Sequence, residues 1–116
     1  IQEFGIIADN ELIVLLEPLG FFDFVRLEMH AMGVLTDSGT VQEECCIFRV
    51  PNVTVRDVTE RPETIECGSN ILSGGDAASI LRCTELALSK PANWTPPRQY
   101  TVTNVASVVA NIVLGF

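Results

Sequence analysis

Short runs of aliphatic and β-branched residues alternate along this chain with longer segments whose apolar residues recur at helical spacing. The runs predicted as strands cover residues 12–16, 34–36, 52–55 and 70–72. The segments predicted as helices cover residues 21–32, 40–48 and 60–66, followed by one that Asp76 caps and that continues to Leu88. Strands that are each followed by a helix predict a parallel sheet. We therefore expect an α/β fold of three layers, with helices on both faces of the sheet.

A proline-rich segment separates this α/β region from the end of the chain. Residues 90–99 contain three prolines and are not expected to form regular structure. We assign residues 1–89 to a partial α/β domain, residues 90–100 to a linker and residues 101–116 to a final helix that ends at Gly115. This helix is apolar on most of its circumference, so we expect it to dock against another part of the protein or against a partner subunit.

The charge of the chain excludes several classes of partner. Seven basic and 15 acidic side chains give a formal charge of −8 and a pI near 4.4. Such a charge repels phosphate backbones and anionic lipids, so we expect no nucleic acid and no membrane partner. The sequence shows neither a membrane-spanning run nor a signal peptide, and its four cysteines lack zinc-site spacing. We expect a soluble, cytoplasmic protein with reduced thiols, no bound metal and local donors for any anionic ligand.

A candidate anion site follows the second predicted strand, at Asp37, Ser38, Gly39 and Thr40. Ligands of parallel α/β sheets lie beyond the carboxyl ends of the strands, where helices begin. A glycine lets the backbone approach a ligand closely, the two hydroxyls add donors, and the first N–H groups of the helix carry the positive end of its dipole. This turn is therefore a candidate phosphate site, and the alternative is a simple helix cap with a tight turn.

Two further side chains belong to the same edge of the predicted sheet. Glu44 lies about one and a half turns along the helix that the turn opens, where its carboxylate can accept hydrogen bonds from ribose hydroxyls; a solvated surface glutamate is the alternative. Arg56 and Arg61 follow the third strand of a chain with few basic residues, and Arg61 can bind a diphosphate. The alternative for Arg61 is a surface ion pair with Glu60 or Glu63.

These loops carry two long motifs. Residues 37–44 read D-S-G-T-V-Q-E-E, and residues 56–63 read R-D-V-T-E-R-P-E. They resemble the D-S-G-G-x-Q-E-E and R-[DE]-x-T-E-R-P-E motifs of the non-hydrolysing UDP-N-acetylglucosamine 2-epimerases. The resemblance runs from about Leu12 to Leu88 and includes E-P-L-G-F-F-D-F at residues 17–24.

The resemblance implies a fold and a set of binding residues. The family has two Rossmann-like domains with the active site in the cleft between them, the GT-B architecture, and this chain resembles the later part of the C-terminal domain. The residues implied to bind UDP are Ser38, Gly39 and Thr40 for the diphosphate, Glu44 for the ribose, Arg61 for the phosphate region and Phe24 for the uracil pocket. Phe24 also lies on the apolar stripe of its helix, so either its side chain or only its backbone meets the base. No cofactor is implied.

Two residues depart from the family pattern. Thr40 replaces the second glycine of D-S-G-G, and Leu19 stands where many members have a polar residue near the base. Both departures leave the sugar open, including a deoxy or otherwise modified 2-acetamido sugar.

The family reaction implies that this chain supplies only part of the chemistry. UDP is eliminated across C1 and C2 to give a 2-acetamidoglucal and is added back with inversion at C2, which interconverts UDP-GlcNAc and UDP-ManNAc. The reaction needs a base, an acid and stabilisation of the leaving diphosphate. The family's catalytic carboxylates and histidine are expected upstream of Ile1, so the chain alone is expected to be inactive. His30 is predicted to be structural, and Cys45 and Cys46 to pack as small apolar groups.

Two other functions stay open. A GT-B glycosyltransferase shares the sheet and a glutamate on the ribose, although the R-D-V-T-E-R-P-E segment argues against it. A non-catalytic UDP-sugar-binding module is favoured if the gene begins near Ile1. An epimerase of cell-surface polysaccharide biosynthesis instead requires about 240 further residues for the missing N-terminal domain, and we expect its full-length form to be a homodimer.

Overall fold

The computed structural model describes residues 10–115 and contains, within them, a parallel sheet of three strands. The strands are β1 (Val34–Thr36), β2 (Asn52–Thr54) and β3 (Asn70–Leu72), in that order across the sheet. The helices are α1 (Phe21–Met29), α2 (Gly39–Phe48), α3 (Pro62–Glu66), α4 (Ala77–Ser89) and α5 (Val105–Leu114), with a short 3-10 helix at Arg98–Thr101. The outermost parts of the assigned ranges, residues 1–9 and 116, lie outside this description.

Helices cover both faces of the sheet. Successive side chains of β2 point to opposite faces, and each set packs against different helices. On one face, Asn52 Nδ2 and Thr54 Oγ1 both donate to Asn70 Oδ1, at 3.0 and 2.8 Å, beneath α2 and α3. Val53 points to the other face, where it lines a cavity of about 110 Å³ together with Ala87 of α4. The three-layer arrangement predicted from the alternation of strands and helices is therefore confirmed.

The predicted strand at residues 12–16 is wrong. The segment has no regular structure, and its side chains are exposed, with Leu12 91% and Val14 72% accessible. A strand is held by hydrogen bonds to a neighbouring strand, and none of β1, β2 and β3 pairs with these residues. An apolar run with β-branched residues therefore shows that a segment is suited to a sheet. It does not show that a neighbouring strand is present to pair with it.

Local geometry shifts several helix boundaries from their predicted positions. α1 ends at Met29 because the N–H groups of His30 and Ala31 bond three residues back, to Leu27 O at 3.2 Å and Glu28 O at 3.1 Å, and close the last turn.

The helix predicted to begin at residue 60 begins at Pro62. The preceding residue, Arg61, has φ −123° and ψ 58°, since a residue before proline is disfavoured in the α region. β2 also ends one residue early, at Thr54, although Val55 N–H still donates to Thr36 O at 2.9 Å.

The segment predicted as a linker packs back onto the sheet domain. Trp94 is buried, its Nε1 donates to Cys46 O at 3.0 Å, and its carbonyl accepts from the Arg49 guanidinium. The prolines exclude an α-helix, but residues 98–101 do form one turn of 3-10 helix. The final helix, α5, ends at Gly115 as predicted, with φ +74° at that residue, and none of its side chains is buried. No helix within residues 10–115 is long and apolar enough to span a bilayer.

Candidate functional site

The turn between β1 and α2 lies at the carboxyl edge of the sheet and is built as a helix cap. Ser38 is the N-cap residue, and its Oγ accepts from Val41 N–H at 3.5 Å. Ser38 N–H donates to Thr36 Oγ1 at 3.0 Å, which fixes the chain as it leaves the strand. Gln42 N–H makes the first intrahelical bond, to Ser38 O at 3.2 Å. The capping interpretation of this turn is therefore correct as far as Ser38 is concerned.

The cap leaves two backbone donors at the mouth of the turn. The N–H groups of Gly39 and Thr40 precede the first intrahelical bond and have no acceptor among residues 10–115. Thr40 and Asp37 are exposed, so the mouth is open to solvent. The Arg61 guanidinium lies over Gly39, where an added Cβ would be 3.7 Å from its Cζ and 3.8 Å from its Nη2. Two loops thus bring backbone donors and a cation together, an arrangement that suits a phosphate-sized anion.

Arg61 does not make the local ion pairs considered as its alternatives. Its Nε donates to the Glu43 carboxylate of α2, and its Nη1 donates to the backbone carbonyl of Glu60 at 3.1 Å. Glu63 is engaged elsewhere, accepting from Tyr100 Oη at 2.6 Å. The hydrogen bond from Arg61 to the Glu43 carboxylate raises the pKa of Arg61 above its usual value, so this guanidinium stays charged.

Glu44 is partly buried and lies near a second carboxyl group. Burial raises the pKa of Glu44, and the neighbouring carboxyl of Glu28 raises it further. Glu28 is buried on α1, where its Oε1 accepts from Cys45 Sγ at 3.1 Å. Its other oxygen, Oε2, is buried without a hydrogen-bond partner in the part of the chain that the structure describes. Glu44 is therefore half-buried near a second carboxyl group.

Phe24 lies on α1, one helical turn before Glu28. Its N–H donates to Gly20 O at 3.0 Å, so this backbone donor is already used within the helix. Its side chain is 43% exposed and is not part of the buried core. The structure therefore leaves the ring of Phe24, rather than its N–H, as the group that can meet a base.

The remaining candidate residues lie away from this turn or are engaged. Arg56 forms a surface pair with Glu60, with 3.7 Å between Nη1 and Oε2. His30 follows the end of α1, at the opposite edge of the sheet, where its Nδ1 donates to Arg26 O at 2.7 Å.

Cys45 and Cys46 are both fully buried, as predicted, but neither contacts only apolar groups. Cys45 donates to a carboxylate, and Cys46 Sγ lies 3.7 Å from Cys67 Sγ. Burial raises the pKa of Cys46 to about 11, so this thiol is unreactive at neutral pH. Within residues 10–115 there is no group of three side chains that could hold a metal ion.

Sequence reasoning missed a buried polar network beneath the site. Gln42 is fully buried, and its Oε1 accepts from Thr59 Oγ1 at 2.6 Å and from Asn70 Nδ2 at 3.2 Å. Asn70 Nδ2 also donates to Thr64 Oγ1, at 3.1 Å. The sequence of α2 could have indicated this network, because Gln42 shares a helical face with Cys45 and Cys46. A polar side chain on a buried face needs buried hydrogen-bond partners.

Comparison with known proteins identifies the family. Residues 3–114 match the sequence profile described as UDP-N-acetylglucosamine 2-epimerase. The UDP-N-acetylglucosamine 2-epimerase of Methanococcus maripaludis is 44% identical over 118 residues, which cover 99% of this chain and 32% of that protein. The UDP-2,3-diacetamido-2,3-dideoxy-D-glucuronate 2-epimerase of Pseudomonas aeruginosa is 37% identical over 78 residues, which cover 67% of this chain and 22% of that protein.

A solved structure agrees with these sequence matches. The crystal structure of Methanocaldococcus jannaschii UDP-GlcNAc 2-epimerase in complex with UDP-GlcNAc and UDP superposes with a TM-score of 0.87 at 39% identity. The match covers 99% of this chain and 31% of that one, so the chain spans about a third of the length of its relatives. The expected Rossmann-like fold class is confirmed, and the chain belongs to the UDP-N-acetylglucosamine 2-epimerase family.

Proposed function

We propose that this chain is the UDP-binding part of the C-terminal domain of a two-domain UDP-N-acetylglucosamine 2-epimerase. The observation that carries the proposal is the Arg61 guanidinium over Gly39, beside the two free N–H groups of the α2 N-terminus. The M. jannaschii relative binds UDP-GlcNAc and UDP. This cluster lies at the carboxyl edge of the sheet of an acidic chain and has the right donors, in the right place, for a nucleoside diphosphate.

Each proposed contact follows from the geometry of one side chain. Gly39 and Thr40 donate their N–H groups to the diphosphate, and Ser38, whose Oγ already accepts a cap bond, donates its hydroxyl proton. Arg61 supplies the charge that these neutral donors lack. Glu44, about one and a half turns further along α2, accepts from the ribose hydroxyls.

Phe24 offers its half-exposed ring to the uracil from α1, the helix that packs beside α2. A base can stack on such a ring whatever its hydrogen-bonding pattern.

These contacts give the chain one share of the reaction. When the C1–O bond of the substrate breaks and C2 loses its proton, UDP leaves as an anion and a 2-acetamidoglucal remains. Backbone N–H groups and a fixed guanidinium stabilise that leaving diphosphate and hold it for re-addition. The acid and base belong to the rest of the enzyme, which closes the cleft from the other side.

The substrate is a UDP-2-acetamido sugar. UDP-N-acetylglucosamine is the first choice, because most of the matched relatives carry its name, but the P. aeruginosa relative is named for a modified 2-acetamido sugar. Thr40, in place of a second glycine, adds a hydroxyl at the mouth of the turn. Thr40→Gly is therefore the substitution to compare with wild type when binding of different UDP-2-acetamido sugars is measured.

We further propose a cytoplasmic, homodimeric enzyme that supplies sugars for cell-surface polysaccharides. Four free cysteines suit a reducing compartment. The uncovered apolar surface of α5 suits a contact with the N-terminal domain or a second subunit.

Replacing Arg61 tests the proposal directly. In the complete protein, Arg61→Ala should weaken UDP binding at least tenfold, measured by calorimetry, because a guanidinium–diphosphate contact is lost. Arg56→Ala is the matched control: it removes the same charge from the same loop, but its guanidinium pairs with Glu60 at the surface, so UDP affinity should not change. Equal affinities of wild type and Arg61→Ala would contradict the proposal.

A further inference from the structure

Arg61 is held from two sides by consecutive residues of α2. We propose that Gln42 and Glu43 are positioning residues that aim the Arg61 guanidinium at the anion site over Gly39. Glu43 fixes the side chain of Arg61, and Gln42 fixes its backbone through Thr59. This inference rests on the proposed function, since it assigns the means by which the same site keeps its cation in place.

Glu43 leaves one nitrogen of Arg61 free, on the side of the site. Nε is bonded to the Glu43 carboxylate and Nη1 to Glu60 O, whereas Nη2 has no partner among residues 10–115. Nη2 lies 3.8 Å from the Cβ position of Gly39, about as close as Nε at 3.9 Å, so the free nitrogen is on the side of the site. A guanidinium already fixed in this orientation loses less side-chain freedom when an anion binds, and the anion is therefore bound more tightly.

Gln42 acts on the backbone of the same residue. Its Oε1 accepts from Thr59 Oγ1 at 2.6 Å, and that hydroxyl oxygen in turn accepts from Arg61 N–H at 3.0 Å. Thr64 Oγ1 donates to Arg61 O at 2.7 Å, so both backbone groups of Arg61 are bonded. Gln42 is fully buried and Thr59 is half-buried, so this chain of hydrogen bonds is partly shielded from water and fixes the loop before α3 relative to α2.

Glu43 could instead act against binding, as an internal anion that competes for Arg61. The geometry argues against competition, because a competing carboxylate would take Nη2, the nitrogen that remains free for a phosphate. Glu43 takes Nε and leaves Nη2 toward Gly39. The side chains of Arg61 and Glu43 are each about one-third exposed, so solvent also screens the repulsion between Glu43 and a bound phosphate. Removing Glu43 should therefore weaken anion binding.

A series of variants at Glu43 tests this step in the complete protein. Glu43→Ala should weaken UDP binding about fivefold to tenfold, whereas Glu43→Gln, which keeps an oxygen acceptor for Nε, should stay within about threefold of wild type. Affinity for uridine, which has no phosphate, should not change. Glu85→Ala, which removes an exposed carboxylate from α4, controls for the change in net charge. Unchanged or tighter UDP binding by Glu43→Ala would overturn the inference.

Coupling to Arg61 separates positioning from a general structural effect. In the Arg61→Ala background, Glu43→Ala should cause no further loss of UDP affinity, and an additive loss would show that Glu43 does not act through Arg61. Thr59→Val, which cannot bridge Gln42 to Arg61, should weaken UDP binding, and Thr59→Ser should restore it. If Thr59→Val fails to fold, the Glu43 series decides alone, since that side chain lies at the surface.

Failure of the inference and failure of the proposed function give different results. If Arg61→Ala binds UDP as tightly as wild type, the phosphate role of the site is wrong. If Arg61→Ala weakens UDP but Glu43→Ala and Thr59→Val do not, the site stands and only the positioning roles of Gln42 and Glu43 fall.

Discussion

Glu44 is the residue whose ionisation couples the proposed site to pH. Burial and the Glu28 carboxyl both raise the pKa of Glu44 above its ordinary 4.5. The ionised carboxylate is the better acceptor for two ribose hydroxyls, so protonation removes binding strength. The nucleoside contact should therefore weaken as the pH falls, and the weakening should begin at a higher pH than an ordinary glutamate would require.

We expect uridine affinity to record this titration, because uridine has no phosphate that ionises in the same range. As the pH is lowered from 7 through the raised pKa of Glu44, affinity measured by calorimetry should fall for wild type and stay flat and low for Glu44→Gln. Glu28→Gln removes one of the causes of the raised pKa, so the fall should move to lower pH. Parallel pH profiles for wild type and Glu44→Gln would contradict a ribose contact.

Residues differ in how far their surroundings could be predicted from sequence. The roles of Ser38 and Gly39 at a helix start depend on neighbours within four residues, so the motif placed them correctly. The ion pair of Arg61 could not be predicted, because Glu43 lies 18 residues away along the chain. The alternative weighed from the sequence was a pair with the nearby Glu60 or Glu63, and only the packing of α2 beside α3 brings Glu43 within reach.

At the scale of elements, helices were easier to predict than strands. A helix closes its hydrogen bonds within itself, and the predicted helices all occur, with ends shifted by one to four residues. A strand depends on a neighbour, which is why residues 12–16 were misassigned while 34–36 and 70–72 were correct. The docking of residues 90–101 was missed for the same reason, since Trp94 and Tyr100 find their partners on distant elements.

Tyr100 ties the 3-10 helix to α3, and its removal should loosen that element. The Tyr100 hydroxyl lowers the pKa of Glu63 by donating to its carboxylate, so the bond stabilises the fold above the ordinary carboxyl pKa of 4.5 and is lost as the pH falls through the lowered value. At pH 7, Tyr100→Phe should cost roughly 1 kcal/mol of local stability. The cost should shrink in acid.

Native-state hydrogen exchange of the Tyr100 amide, which donates to Pro97 O, measures this local opening. Glu63→Gln in the Tyr100→Phe background should add little, because the two substitutions remove the same bond. A full additional loss in the double variant would show that the hydroxyl and the carboxylate stabilise the segment independently.

At the scale of the whole molecule, the chain is more extended than a compact domain of the same length. Its radius of gyration is 16.8 Å, whereas a compact domain of this length has a radius of about 13 Å. Apolar side chains remain exposed at residues 12–16, on α1 and on α5. We expect the other part of a full-length family enzyme to cover these surfaces and to supply the opposite wall of the cleft.

We expect this chain to bind UDP without catalysing the removal of the C2 proton. We assign the C2 proton to none of three ionisable groups, because Glu43 holds Arg61, Glu44 is assigned to the ribose, and His30 lies at the opposite edge of the sheet. In deuterated water, the complete enzyme should exchange the C2 proton of UDP-N-acetylglucosamine, as followed by NMR, and the isolated 116-residue chain should not. Circular dichroism and UDP binding must first show that the isolated chain is folded. Exchange by this chain that disappears in Glu44→Gln would place the base on α2 and contradict the division of roles, because a carboxylate that binds ribose cannot also remove the proton at C2.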